Sequence, residues 1–207
     1  MKIAVIAAGG RSGQAFVEAA LANGHTVCAG VHSKNHLKPQ PHLTILSCDA
    51  TNEEELEGVL NGQEAVASFI GHVKGSAADV QTVATQNIIT VTNKLEIRRL
   101  VSLTGTGVRF PGDTITLLDR LLNLSIAIID PARVNDGKNH VVVLKSSDLE
   151  WTIIRVLKLQ NVQPRPFRLY EHGPTKWYVS RQEVAQAVLQ VLEQHSFIRQ
   201  APIIGKP

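Results

Sequence analysis

The chain has 207 residues, of which 43% are hydrophobic and 19% charged, values typical of a globular protein large enough for one α/β domain. Its net charge of +3 comes without a block of Lys or Arg, which argues against a nucleic-acid partner. No apolar run could span a membrane, and the apolar N-terminus runs into glycines rather than a cleavage site, so we expect a cytoplasmic protein without a membrane partner.

The N-terminus predicts the phosphate-binding entry of a dinucleotide fold. Ile3–Ile6 form a short buried strand, Ala7–Gly13 turns the chain, and a helix runs from Gln14 to the Asn23-Gly24 pair. Glycines let a backbone approach a pyrophosphate, and a helix N-terminus supplies free N–H groups. The predicted phosphate-binding residues are Gly9, Gly10, Arg11, Ser12 and Gly13.

Two points in this turn stay open on the sequence alone. Ala7 stands where the usual pattern has its first glycine, so we expect Ala7 to turn without a positive φ, or Gly9 to shape the turn instead. The alternative to a phosphate site is an ordinary strand-to-helix turn that binds no ligand.

The second strand, His25–Val31, ends where dinucleotide folds place the residue that contacts the adenosine ribose. An NAD site carries Asp or Glu there, whereas this chain has His32, Ser33 and Lys34. Lys34, a protonated His32 and the Ser33 hydroxyl suit a 2′-phosphate, which predicts NADP (NADPH) as the cofactor and makes NAD less favoured. The alternative is a solvated basic loop.

Further strands are predicted at Leu43–Ser47, Gln63–Ile70, Leu100–Leu103 and Trp151–Val156. Asp49 and Ala50 follow the third strand, beside the expected adenine, although Asp49 also suits a capping role. Gly71 ends the fourth strand and leaves room for a ligand. Cys28 and Cys48 have no metal-ligand spacing, so we predict buried hydrophobic roles and no metal site.

Helices are predicted over Ala77–Asn93, the centre of Pro111–Asn123, Asn139–Ser147 and a segment capped by Ser180, with Asp130–Lys138 as a loop. Residues 160–178 show little periodicity and are predicted to form short strands and loops that cover the substrate side. The alternation of strand and helix predicts a Rossmann-type, doubly wound parallel sheet with helices on both faces, as a single domain over residues 1–207.

Six segments, in the right order, resemble motifs of atypical short-chain dehydrogenases/reductases of the NAD(P)-binding, NmrA-like group, especially its small flavin reductase/biliverdin reductase B type. They are Ala7–Gly13, Asp49, Gly71, Arg99–Thr104, Leu149–Arg155 and Ser180–Ala185. Val156 replaces the proline that ends the fifth of these motifs in the family. The resemblance implies an NAD(P)H-dependent oxidoreductase.

The resemblance also implies an unusual reaction site. The family's Tyr-x-x-x-Lys pair is absent, and Thr104 fills the serine position, from which its hydroxyl can donate to a carbonyl or to the nicotinamide carboxamide. Lys158 lies where small flavin reductases carry active-site groups and could offset charge on a reduced ring, unless it is a solvated loop lysine.

These features favour NADPH-dependent reduction of a flavin, a quinone or a similar planar acceptor, with hydride passing to the ring and the proton coming from water. The alternative is a non-catalytic, NADP-sensing regulatory or interaction protein, as NmrA-like regulators are. Monomer and homodimer both stay open.

Overall fold

The computed structural model describes residues 1–33, 35–73, 75–114 and 116–207. Its strands, in chain order, are β1 Lys2–Ile6, β2 Thr26–Val31, β3 Leu43–Ser47, β4 Ala65–Ser68, β5 Arg99–Gly105, β6 Glu150–Val156, β7 Leu159–Gln160, β8 Arg168–Tyr170, β9 Val179–Ser180 and β10 Ile203–Gly205. Its helices are α1 Arg11–Ala22, α2 Glu53–Leu60, α3 Val80–Lys94, α4 Leu117–Ile129, α5 Pro131–Lys145 and α6 Arg181–Glu193.

The main sheet has eight strands in the order β3-β2-β1-β4-β5-β6-β10-β8. All neighbours in it run parallel except β10 and β8, which are antiparallel, and β7 and β9 form a separate parallel pair. Strands β2 and β3 are added on one side of β1, and the chain then crosses back to place β4 on the opposite side of β1. This reversal creates a crevice at the carboxyl ends of β1 and β4, which is where such sheets bind dinucleotides.

Helices cover both faces of the sheet, which confirms the predicted Rossmann-type fold. Ile3 and Val5 of β1 join one core cluster with α1 and α6, whereas Ala4 and Ile6 join the other with α2, α3 and α5. The two sets alternate because successive side chains of a strand point to opposite faces of the sheet. Since both faces of β1 are buried, its sequence is a continuous apolar run.

The turn after β1 differs from prediction at Ala7. Its φ is +60°, so Ala7 itself adopts the left-handed conformation that the family pattern gives to glycine. A residue other than glycine in this conformation costs about 1–2 kcal/mol. The surrounding turn offsets this cost, and the alanine side chain is small enough to fit there. The Gly10 N–H donates to the Ala7 carbonyl at 3.1 Å, closing the turn.

The predicted loop at Asp130–Lys138 is wrong, because α5 begins at Pro131 and continues to Lys145. Asp130 caps this helix by accepting a hydrogen bond from the Arg133 N–H, and proline is well suited to the first helical position. The preceding helix, α4, is also longer than expected and ends at Ile129 rather than near Asn123.

Helix α4 packs inward through polar side chains. Asp119 is fully buried and accepts hydrogen bonds from Arg109 at 2.9 Å and from the Asn123 side chain. The large apolar side chains of α4 that face outward are Leu117, Leu118, Leu121, Leu124, Ile128 and Ile129. Within the described residues, no helix is long and apolar enough to cross a membrane.

The C-terminal part confirms one local prediction and adds an unpredicted strand. Ser180 and Glu183 form the expected capping box at the start of α6. Strand β10 is three residues long and has little sequence signal, and it extends the sheet beyond β6 through the pair Ile203 and Arg155. Cys28 and Cys48 are free and buried, as predicted, and burial raises the pKa of Cys48 to about 12.

Candidate functional site

A cavity of about 430 Å³ opens at the carboxyl ends of β4, β5 and β6. Its lining includes Ser12 from the turn after β1, Gly71 after β4, Thr104 at the end of β5 and Lys158 after β6. Four separately predicted segments therefore meet at one place, as the topology requires.

The turn before α1 leaves the helix N-terminus open to a ligand. Gly10 occupies the N-cap position with no side chain, and the first turn carries no acidic residue. The first N–H groups of an α-helix have no partner within the helix, so those of Arg11 and Ser12 give the start of α1 a partial positive charge. This arrangement suits a phosphate group.

Gly9 and Gly13 hold that turn in shape. The Gly9 carbonyl accepts a hydrogen bond from the Gln14 side chain at 2.6 Å. A Cβ added at Gly13 would lie 2.5 Å from the Ala7 carbonyl oxygen and 2.8 Å from the Ala8 Cα, so only glycine lets α1 pack this closely on β1. Gly13 therefore allows α1 to pack on β1, whereas Gly10 leaves the N-terminus of α1 accessible to a ligand.

Arg181 adds positive charge to the same edge of the cavity. It is the first residue of α6, lines the cavity and donates a hydrogen bond to the Asn161 side chain. Partial burial, and then the nearby charge of Arg11, lower the pKa of Arg181. Two cations that disfavour each other's charge in this way favour a bound anion, which would relieve their repulsion.

The predicted ribose-binding residues lie at the ends of β2 and β3, outside the cavity lining. His32 and Ser33 are exposed, and the His32 Nε2 lies 3.6 Å from the Asp49 Oδ2; Lys34 lies outside the described residues. Asp49 accepts hydrogen bonds from the Thr51 N–H and hydroxyl, which lower the pKa of this carboxyl. The geometry thus gives Asp49 a turn-capping role as well as a place beside His32.

Ala50 and Gly71 mark the two sides of the crevice. The Ala50 carbonyl accepts a hydrogen bond from the Asn87 side chain of α3 at 3.3 Å. At Gly71 an added Cβ would meet no atom within 4 Å, so open space lies in front of this backbone. That space is available to a bound group, as predicted for the end of the fourth strand.

The two predicted catalytic residues both line the cavity. Thr104 is 8% exposed, and α5 leaves room for its side chain because residue 137 is glycine: a Cβ there would lie 2.9 Å from the Thr104 Oγ1. Lys158 is exposed at the mouth. The residues that line the cavity between them include Val156 and Leu157, so a ring there would meet an apolar wall.

A buried histidine–carboxylate pair that was not predicted from the sequence lies at the cavity. The His72 Nε2 lies 2.7 Å from the Asp136 Oδ2, and Asp136 also accepts hydrogen bonds from the N–H groups of Gln81 and Thr82 at 2.8 and 2.9 Å. Burial raises the pKa of Asp136, but the hydrogen bonds from Thr82, Gln81 and His72 outweigh it and lower the pKa below its usual value. The only sequence signal was that His72 follows Gly71.

The charge of the cavity is positive. The ionisable residues among those that line it are His72, Arg133, Lys158 and Arg181, and no Asp or Glu is among the described lining residues. A low-dielectric cavity with one sign of charge attracts ligands of the opposite sign. A dinucleotide and an anionic acceptor both carry the negative charge that this cavity would attract.

A family model described as NAD(P)H-binding matches residues 7–195, from the turn after β1 to the end of α6. The chain belongs to the NAD(P)H-binding family. This membership confirms the resemblance to atypical short-chain dehydrogenases/reductases. The residues present fit a dinucleotide, since the N-cap residue Gly10 has no side chain over the start of α1 and the space in front of Gly71 is open. No curated protein is similar to the sequence at a significant level.

Solved structures share the fold of this NAD(P)H-binding protein. A short-chain dehydrogenase/reductase from Veillonella parvula DSM 2008, in complex with NADP, is 20% identical with a TM-score of 0.80, covering 100% of this chain and 94% of that one. A candidate NADH-flavin reductase from Streptococcus pneumoniae TIGR4 is 21% identical with a TM-score of 0.80, covering 100% of both chains. A candidate NAD-dependent epimerase/dehydratase from Bacillus halodurans is 17% identical with a TM-score of 0.77, covering 100% of this chain and 96% of that one.

Proposed function

We propose that this protein is an NADPH-dependent reductase of a planar, electron-poor acceptor such as a flavin or a quinone. The observation that carries the proposal is the cavity itself, which brings Ser12 of the phosphate turn together with Thr104 and Lys158. The S. pneumoniae structure, a candidate NADH-flavin reductase with the same fold, supports this class of acceptor.

The residues divide into a cofactor side and an acceptor side. Gly10, Arg11 and Ser12 would hold the pyrophosphate, and Gly71 would leave room for the adjoining ribose. When bound, the reduced nicotinamide supplies the hydride. Thr104 would position the nicotinamide or the acceptor through its hydroxyl, and Lys158 would offset negative charge on a reduced ring.

NADPH is the proposed cofactor because no acid follows β2, where an NAD site would carry one. Replacing Lys34 by Glu should weaken NADPH binding about tenfold to a hundredfold, which is the usual value of a charged phosphate contact. NADH binding should be unchanged or improved, since NADH has no 2′-phosphate. Titration of both cofactors against both proteins measures this. Equal affinity of the wild type for NADH and NADPH would contradict the preference.

Thr104→Val deletes a hydroxyl but keeps the shape that Gly137 accommodates. We expect the variant to lower kcat about tenfold while changing the Kd for NADPH much less, because a positioning hydrogen bond counts most in the transition state. Steady-state kinetics beside a binding titration separate the two effects. A matching rise in Kd with unchanged kcat would show that Thr104 serves binding alone.

The proposal is tested by following NADPH oxidation with FMN, with a naphthoquinone and with no acceptor. An NADP-sensing regulatory protein would bind NADPH tightly and oxidise it with none of them. A reductase should turn over at least one acceptor at a rate well above the acceptor-free background.

A further inference from the structure

We propose that His72, held by Asp136, donates the proton that completes reduction of the acceptor. This inference rests on the proposed reductase function and narrows its substrate class to acceptors whose reduced form must be protonated, above all quinones. It replaces the expectation that the proton comes from water.

The geometry of the pair supports this role. The His72 side chain is 12% exposed and lines the cavity, whereas the Asp136 side chain is fully buried. Asp136 is an ionised acceptor, so the His72 Nε2 carries the hydrogen that it donates across 2.7 Å. The other ring nitrogen, Nδ1, is not engaged by Asp136 and can bind or release a proton. Such an arrangement of carboxylate, imidazole and substrate is a common form of general acid.

Asp136 is itself firmly held. Its two carboxylate oxygens accept the N–H groups of Gln81 and Thr82 at the start of α3, and its helix α5 also carries Gly137, beside Thr104. The hydrogen bond between residues 72 and 136, and the contact of the adjacent Gly137 with Thr104, therefore bring residues 72, 104 and 136 together at one side of the cavity. Asp136 is a positioning residue, because it orients the imidazole and stabilises the imidazolium without facing the acceptor.

The second buried histidine nearby cannot take this role. The His140 Nε2 lies 3.0 Å from the Ser102 Oγ, and burial lowers the pKa of His140 to about 4, with the charge of Asp136 opposing the shift. His140 is therefore a neutral imidazole at neutral pH and cannot act as an imidazolium proton donor. The other charged groups that face the cavity with His72 are the cations Arg133, Lys158 and Arg181.

The step balances as follows. A quinone accepts a hydride, with its two electrons, from the reduced nicotinamide, which becomes oxidised to NADP⁺, and a hydroquinone monoanion results. The donor is the imidazolium form of His72. Its Nδ1–H bond breaks as an O–H bond forms on the hydroquinone, which leaves the neutral Nε2–H imidazole, and that imidazole takes up a proton from solvent before the next turnover. A hydroquinone is a phenol, and phenols ionise near pH 10, so the monoanion is unfavourable at neutral pH without this donor.

Flavin reduction provides an internal comparison, since hydride addition to a flavin gives an anion that persists near neutral pH. His72→Gln keeps an N–H for Asp136 but cannot release a proton. We expect it to lower kcat for a naphthoquinone about a hundredfold, the usual contribution of a general acid, while changing FMN reduction and the NADPH Kd far less.

The matched control is His25→Gln. The His25 side chain is 10% exposed, much like that of His72, and its Nε2 lies 2.9 Å from the more exposed carboxylate of Glu193. His25→Gln therefore removes an equally buried histidine, with its carboxylate partner, outside the cavity lining. This control should leave the reduction of both acceptors unchanged. A second readout needs no turnover: nitrogen NMR of the cofactor-free wild type should show the neutral form of His72 as the Nε2–H tautomer, with the signal assigned by its loss in His72→Gln.

Several results would overturn the proposal. If His72→Gln slows quinone and flavin reduction equally, His72 is a structural residue. If the variant slows neither reaction, the proton comes from water. An Nδ1–H tautomer would contradict the geometry. A wild type that reduces neither acceptor would remove the proposed function itself, and that outcome is seen before any variant is compared.

Discussion

Replacing Arg155 by methionine should lower the free energy of unfolding by about 3–5 kcal/mol, the usual cost of breaking a buried ion pair by removing one partner. Arg155 is 0% exposed, and its guanidinium contacts both oxygens of Asp113 at 2.5 and 2.8 Å. It also donates to the carbonyls of Val108, Glu171 and Ala201, which ties β6 to three other segments. The variant leaves the buried Asp113 carboxylate without its guanidinium partner.

Chemical denaturation of the wild type and of two controls measures this effect. Arg155→Met combined with Asp113→Asn should recover part of the loss, because no uncompensated carboxylate remains. Lys94→Met breaks the exposed pair with Glu57 and should cost less than about 1 kcal/mol. If Arg155→Met lowers the free energy of unfolding no more than Lys94→Met does, the stabilising role of the buried Arg155–Asp113 pair is contradicted.

The same pair predicts a dependence of stability on pH. Burial raises the pKa of Asp113, but hydrogen bonds from Arg155 and the Phe110 N–H outweigh it and lower the pKa. A lowered folded-state pKa gives stability that is present above the unfolded carboxyl pKa and is lost as pH falls through the folded value. We expect Arg155→Met to lose less stability on acidification than the wild type does.

Gly10→Leu should reduce NADPH affinity at least about a hundredfold, because its side chain would cover the helix N–H groups that a phosphate needs. The fold should survive. Gly10 has φ −72° and ψ 157°, which any residue adopts, and an added Cβ would meet only the Ala7 carbonyl, at 3.3 Å. Calorimetric titration beside a thermal melt distinguishes lost binding from lost folding.

Gly13→Ala is the contrasting variant. Its Cβ would clash with backbone atoms at 2.5 and 2.8 Å, so we expect lost stability rather than selectively lost binding. Unchanged NADPH affinity in folded Gly10→Leu would refute the phosphate site at this turn.

Elements with local signals were predictable from the sequence. The strand, turn and helix at the N-terminus and the Ser180–Glu183 capping box depend on residues within a few positions of one another, and the structure confirms them. The left-handed Ala7 was not predictable, because the surrounding turn rather than alanine's own preference fixes its φ.

Tertiary contacts explain the failures. Asp136 and Gly137 both disfavour a helix, which made this segment resemble a loop. In the structure, however, Asp136 caps α3 from a distance and Gly137 makes room for Thr104. The His72–Asp136 pair joins residues 64 positions apart, so no local pattern could indicate it. The placement of Thr104 and Lys158 in one cavity was predictable, because Thr104 lies at the carboxyl end of β5 and Lys158 follows β6, its parallel neighbour.

The most direct test of the reductase assignment is the rate of NADPH oxidation by the purified protein with a naphthoquinone or FMN, followed by the near-ultraviolet absorbance of NADPH. We predict acceptor-dependent oxidation with kcat on the order of 1 s⁻¹ or more, abolished in Gly10→Leu at the same protein concentration. NADPH binding without oxidation by either acceptor, or a rate that Gly10→Leu retains, would contradict the assignment and favour a protein that senses the cofactor without using it.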